Sequence, residues 1–116
     1  MAKARYAPEV SEIYLEDLCF DAQQAAEKAI KALLIHLNTP FPYVHDLALL
    51  LSVVERRGQE VPRAIRQAAR LTRYAVVTRY PGMSEPVTQE EYEAAVSTAA
   101  EVVGWVDEII HQQKKD

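Results

Sequence analysis

Between Leu15 and Leu37 the chain returns to an apolar residue every three or four positions: Leu15, Leu18, Cys19, Ala22, Ala25, Ala26, Ala29, Ile30, Leu33, Leu34 and Leu37. Only an α-helix, at about 3.6 residues per turn, gathers that spacing on one side. The pattern predicts one long amphipathic helix over about Val10 to Leu37. Its other face carries Glu16, Asp17, Gln24, Glu27, Lys28 and Lys31, with Glu27 and Lys31 forming an i,i+4 pair in the favourable order. Asn38-Thr39-Pro40-Phe41-Pro42 should end the helix, because proline cannot continue it. A stripe this wide must be covered, so the remaining chain has to supply further apolar faces.

It supplies three. A shorter helix over about His45 to Arg57 presents Leu47, Leu50, Leu51 and Val54, and Gly58 stands where a left-handed C-terminal cap belongs. A third helix should start at Pro62, a good first-turn residue, and reach about Val77. Its Ile65, Ala68, Leu71, Thr72, Ala75 and Val76 fall on one side, while Arg63, Arg66, Arg70 and Arg73 fall within about an 80° arc on the other. Tyr80-Pro81-Gly82 opens a loop that runs to Val87. Thr88-Gln89-Glu90-Glu91 then reads as a capping box before a last helix carrying Tyr92, Ala95, Val96, Ala99, Val102, Val103, Val106, Ile109 and Ile110. No strand-like alternation or repeat interrupts this. The expected fold is all-α, an antiparallel up-and-down bundle of about four helices. Residues 1–13 form a short N-terminal segment, 14–110 the bundle, and 111–116 a polar tail that should fray. With so short a segment before the first helix, apolar surface is left to cover, and a symmetric homodimer is the ordinary way to cover it.

Composition agrees. At 116 residues the chain is one domain, and 17 alanines against three glycines favour helix over sheet. The single Cys19 excludes an internal disulfide framework and any multi-cysteine zinc site. Met1 to Pro8 has no apolar core for a signal peptide. The longest charge-free stretch, Ala32 to Val44, falls far short of the ~20 apolar residues of a membrane span. A cytoplasmic protein without membrane partners is the expectation.

The charge is unevenly placed. Residues 1–54 hold four basic and seven acidic side chains, net −3; residues 55–79 hold seven arginines against Glu55 and Glu60, net +5; residues 80–116 hold two lysines against eight acids, net −6. An acidic protein thus encloses an island whose cations are all arginine, the residue suited to planar recognition of phosphate or carboxylate. Arg73-Tyr74 and Arg79-Tyr80 set a guanidinium beside an aromatic ring, a pairing that serves phosphate and base contacts. The plainer reading is a solvated face paired with acids.

Among the histidines, His36 lies near the apolar end of the first helix and reads as a core or interface residue. His111 lies in the tail. His45, beside Asp46 at a helix start, is the candidate for acid–base chemistry, with simple helix capping as its alternative. Hydrolase nucleophile motifs, a phosphate-cradling glycine loop and helical metal-ligand spacings are all missing, so neither a metal nor a cofactor is expected.

The run Tyr14-Leu15-Glu16-Asp17-Leu18-Cys19-Phe20-Asp21-Ala22-Gln23-Gln24-Ala25-Ala26-Glu27-Lys28-Ala29-Ile30-Lys31-Ala32-Leu33-Leu34, with His45-Asp46-Leu47 and Thr78-Arg79-Tyr80-Pro81 after it in order, resembles prokaryotic HEPN domains. The resemblance spans about residues 14–110. It implies a helical bundle that dimerises and is the partner of a small nucleotidyltransferase, in some cases as a toxin–antitoxin pair. It also implies a nucleotide-binding or substrate-binding cleft formed by Gln24, Lys28, Lys31, His45, Asp46, Arg73, Arg79 and Tyr80. There Lys28, Arg73 and Arg79 would take phosphate charge and Tyr80 would stack. Many relatives are metal-independent ribonucleases that use an arginine four to six residues before a histidine. This sequence has no such pair, so a ribonuclease would have to rely on His45 as its acid or base, with Arg73 or Arg79 brought to it in space. A non-catalytic interaction bundle is the third reading. Two further departures stand out: relatives have a full helix before the Tyr14 segment, and Val44 occupies the place of a capping threonine.

Overall fold

The computed structural model describes residues 2–76 and 87–115. Helix α1 spans Ala2–His36, α2 spans Leu47–Arg56, α3 spans Arg63–Arg66, a 3₁₀ segment spans Gln67–Leu71, α4 spans Thr72–Val76, and α5 spans Gln89–Lys115. No strand occurs among the described residues, and the all-α bundle expected from periodicity is what forms. The two long helices, α1 and α5, pack along each other. The α2 helix and the Arg63–Val76 run close the remaining side.

Three boundaries differ from the sequence reading. The N-terminal segment is not separate: α1 runs unbroken from Ala2. No glycine interrupts it, and Pro8 in its second turn removes one backbone hydrogen bond without ending the run. At the other end α5 continues through the expected tail to Lys115. Proline also does not terminate α1. Asn38 adopts φ 54, its N–H bonds to Ile35 O at 3.0 Å, and Thr39 N–H bonds to Leu34 O at 2.9 Å. This is a Schellman cap with asparagine at the left-handed position. The α2 helix ends the same way at Gly58, φ 104, with Gly58 N–H on Glu55 O and Gln59 N–H on Val54 O.

The start of α2 compensates for Val44. Asp46 is the N-cap, and its carboxylate accepts from the N–H groups of Ala48 and Leu49 at 3.0 and 3.3 Å. Thr72, distant in sequence, accepts the Leu47 N–H at 3.0 Å through its hydroxyl. The capping box of α5 forms as read: Thr88 N–H donates to Glu91 Oε1 at 2.9 Å, and Glu91 N–H donates to Thr88 Oγ1 at 3.0 Å.

The third helix is the largest departure. It is a run of three pieces whose middle is wound as 3₁₀. The buried residues explain this, since Ile65, Ala68 and Leu71 lie three apart. In a 3₁₀ turn residues three apart eclipse, so Ala68 and Leu71 reach the core in line behind Ile65 of α3, where an α-helix would turn Leu71 aside by about 60°.

The core joins Cys19, Ala26, Ile30, Leu33 and Leu34 of α1 to Leu47, Leu50 and Val54 of α2. Ile65, Ala68 and Leu71 come from the third run, and Ala95, Ala99, Val102 and Val106 from α5. Two polar residues sit inside it, Gln23 and Glu27.

Candidate functional site

Two polar arrangements stand out. The first is built on α1. Cys19, Ala22, Ala26, Ile30, Leu33 and Leu34 mark its buried face, and Gln23 and Glu27 occupy positions of that same face rather than the opposite one. The Glu27 carboxylate, about 5% exposed, accepts from Gln23 Nε2 at 2.7 Å, from Lys31 Nζ at 2.8 Å and faces His45 Nδ1 at 3.0 Å. Gln23 also reaches the His45 carbonyl at 3.5 Å, and Gln24 donates to Gln23 Oε1 at 2.7 Å. Burial pushes the Glu27 pKa up, but hydrogen bonds from Lys31, Gln23 and His45 and the Lys31 charge outweigh it, and the carboxyl is held below its ordinary value. Every buried side-chain polar atom among the described residues has a partner.

This cluster fixes the chain between α1 and α2. His45 itself is 60% exposed; with Nδ1 on Glu27, the other ring nitrogen is the one left for an external group. Lys31 Nζ also lies 5.8 Å from the ring centre of Tyr43, which is fully exposed.

The second arrangement is a groove of about 180 Å³ between the Arg63–Val76 run and α5, lined by Gln67, Arg70, Arg73, Tyr74, Glu91 and Thr98 among others. All four arginines of the sequence stripe are exposed, yet the 3₁₀ turn divides them. Arg66 forms an ion pair with Glu55 of α2. Arg73 lies over the Tyr74 ring, 5.3 Å from its centre, and 3.7 Å from Glu91. Among the described residues Arg70 has no carboxylate within ion-pair distance. Burial raises the Tyr74 pKa, and burial likewise raises that of Cys19.

The residues expected in one cleft are therefore shared out. Lys31 and His45 meet, with Gln24 beside them through Gln23. Lys28 is exposed on α1, and Asp46 is occupied as a cap. Arg73 makes its contacts at the groove. Arg79 and Tyr80 lie outside the described residues. Sequence reading missed Gln23 and Glu27 as part of a site. Their spacing of four from Cys19 and from each other, in register with Ile30, was the available signal. No group of three or more metal-ligating side chains assembles among the described residues, and no described helix is long and apolar enough to cross a membrane.

Two long helices packed along each other, closed by a short helix and a broken one, define an all-α helical-bundle domain. The family is identified directly: the model of the HEPN domain matches residues 1–109, and the chain belongs to the HEPN family. Comparison with curated proteins and with solved structures gives no significant match.

Proposed function

We propose that this HEPN domain is a nucleotide- or RNA-phosphate-binding module that works as a homodimer beside a small nucleotidyltransferase, in a pair of toxin–antitoxin type. The observation that carries the binding reading is the groove in which Arg70, without a carboxylate partner among the described residues, stands beside a loosely paired Arg73. Guanidinium groups in that state retain forked donors for a planar or tetrahedral anion. The dimer is supported by a shallow apolar groove between α1 and α5, lined by Leu18, Ala22, Ala25, Tyr92, Val96 and Ala99, with Val96 and Val103 each more than 40% exposed. The nucleotidyltransferase follows from family resemblance.

The test is thermal unfolding of the native chain and of Arg73→Gln against a nucleotide panel. A ligand at 100 times its dissociation constant raises stability by about 2.7 kcal/mol, several degrees for a domain of this size. A shift in the native chain that Arg73→Gln abolishes supports the reading; no shift with any nucleotide refutes it. Copurification with a nucleotidyltransferase subunit and a mass measurement in solution test the two partner claims.

One observation favours a second reading, a metal-independent ribonuclease. Glu27 orients His45 as a carboxylate orients a general base, with the imidazole reaching solvent. The cation beside it is Lys31, already paired to Glu27, while the described contacts of Arg73 are at the groove, with Glu91 and Tyr74, and none is with His45. Binding is therefore the better-supported function. Cleavage of RNA in the presence of a chelator, lost in His45→Ala, would reverse that order.

A further inference from the structure

We propose that the groove between the Arg63–Val76 run and α5 takes a terminal phosphate, a monoester rather than the internal diester of a strand, clamped between Arg70 and Arg73. The inference rests on the binding reading above and narrows it to one chemical group.

The clamp is made by the helix geometry. Gln67, Arg70 and Arg73 are spaced by three, as are the buried Ile65, Ala68 and Leu71. Winding Gln67–Leu71 as 3₁₀ lines up Gln67 with Arg70 and Ala68 with Leu71, because residues three apart eclipse there, and Arg73 follows in the first turn of α4. The row that does not enter the core lines the groove facing α5. In a continuous α-helix the same three side chains would fan out by about 60° per step. Two guanidiniums and one amide are thus brought to the same wall.

Their donors are available. The Arg73–Glu91 separation of 3.7 Å is longer than the ~2.7–2.9 Å of a charge-assisted hydrogen bond. Tyr74 holds the Arg73 guanidinium over its ring, which orders the fork without consuming donors. Two guanidinium charges match the roughly two negative charges of a monoester, which presents three terminal oxygens to their donors. Thr98 offers a hydroxyl from the opposite wall.

Among the described residues, the surroundings favour an end group over a longer polyanion. The next cation along the stripe, Arg66, is paired with Glu55. Glu91 is part of the groove wall. A strand running past the clamp would meet the Glu91 carboxylate on one side and an already neutralised Arg66 on the other, and an end group needs neither position. The volume of about 180 Å³ equals roughly six waters at ~30 Å³ each. That admits a phosphate and part of its sugar.

Calorimetric titration of the full chain decides it, with inorganic phosphate, uridine 5′-monophosphate, uridine, and a hexauridylate with and without a 5′-phosphate. The monophosphate, the phosphorylated hexamer or both should bind, and uridine and the hydroxyl-ended hexamer should bind at least tenfold more weakly. A preference for the monophosphate assigns a free nucleotide; a preference for the phosphorylated hexamer assigns a strand end. Arg70→Gln should lose about tenfold, the scale of one charge-assisted contact, and Arg70→Lys less. Arg66→Gln, outside the groove, should bind as the native chain does, and circular dichroism verifies that each variant is folded. If the hydroxyl-ended hexamer binds as tightly as the phosphorylated one, or if Arg70→Gln binds unchanged, the terminal-phosphate clamp is wrong while the binding reading survives. If no phosphate compound binds, the binding reading itself fails.

Discussion

His45 Nδ1 lies 3.0 Å from Glu27 Oε1, joining residues eighteen apart in the chain. The contact sets a surface imidazole against a buried carboxylate and ties the segment entering α2 to the middle of α1. A buried charge is tolerable only when paired and hydrogen-bonded. Glu27 satisfies that condition three times over, through Gln23, Lys31 and His45.

Removing the carboxylate should therefore be costly. Glu27→Ala leaves the buried Gln23 amide with only its 3.5 Å contact to the His45 carbonyl and separates Lys31 and His45 from their common anion. A loss of about 3 kcal/mol is expected, within the range for breaking a buried pair, measured by urea unfolding at neutral pH. A loss below about 1 kcal/mol would show that the cluster contributes little to the fold.

The same group predicts an acid limb. The folded pKa of Glu27 lies below its ordinary 4.5, so the unfolded chain binds more protons there and stability rises with pH through that region. The contribution is fully present above the ordinary carboxylate value and is lost as pH falls through the lower folded value. Denaturant midpoints between pH 6 and pH 2 should fall more steeply in the native chain than in Glu27→Ala. Parallel curves would assign the acid sensitivity to other carboxylates.

Much of this was legible in the residues. The stripe from Leu15 to Leu37, the Thr88–Glu91 capping box and the cap at Gly58 follow from spacing and local chemistry, and each forms. The position of Glu27 was legible too, but its charge argued for the outer face, and only packing against the His45 segment shows why a carboxylate is held inside. The 3₁₀ winding was harder to see. A spacing of three fits either helix type over one turn, and the decision came from the tertiary demand to bury Ile65, Ala68 and Leu71 together. Thr72 as a partner for Leu47 has no sequence signal, because it depends on two elements meeting 25 residues apart.

That long-range partner gives the next prediction. Leu47 is fully buried, and its N–H depends on the Thr72 hydroxyl. Thr72→Val keeps the shape and removes the acceptor, at a cost of about 1–3 kcal/mol for an unsatisfied buried donor. Asp46→Ala should cost about 1 kcal/mol as a lost N-cap. Equal stability of Thr72→Val and the native chain would mean that water replaces the hydroxyl.

Gly58 separates backbone strain from steric clash. An added Cβ would meet nothing within 4 Å, yet the residue holds φ +104. Gly58→Ala should therefore cost about 1 kcal/mol through conformation alone, with the core unaltered. A neutral substitution would mean that the Schellman turn after α2 relaxes to another conformation.

Glu91 serves two structures at once, and one substitution distinguishes them. Its Oε1 accepts from the Thr88 N–H in the capping box, while Oε2 lies 3.7 Å from Arg73 at the groove. Glutamine is also accepted at this position of a capping box, so Glu91→Gln should change stability by only a few tenths of a kcal/mol, retaining the start of α5. The groove, however, loses a negative charge. Two like charges a few ångströms apart interact by about 1 kcal/mol even in high dielectric, so a phosphate ligand should bind several-fold more tightly to Glu91→Gln than to the native chain. The gain should shrink in 0.5 M salt, where screening shortens the reach of Glu91. Thermal unfolding reads the first effect and calorimetric titration with uridine 5′-monophosphate the second. Weaker binding by Glu91→Gln would mean that Glu91 contacts the ligand as an acceptor rather than opposing its charge.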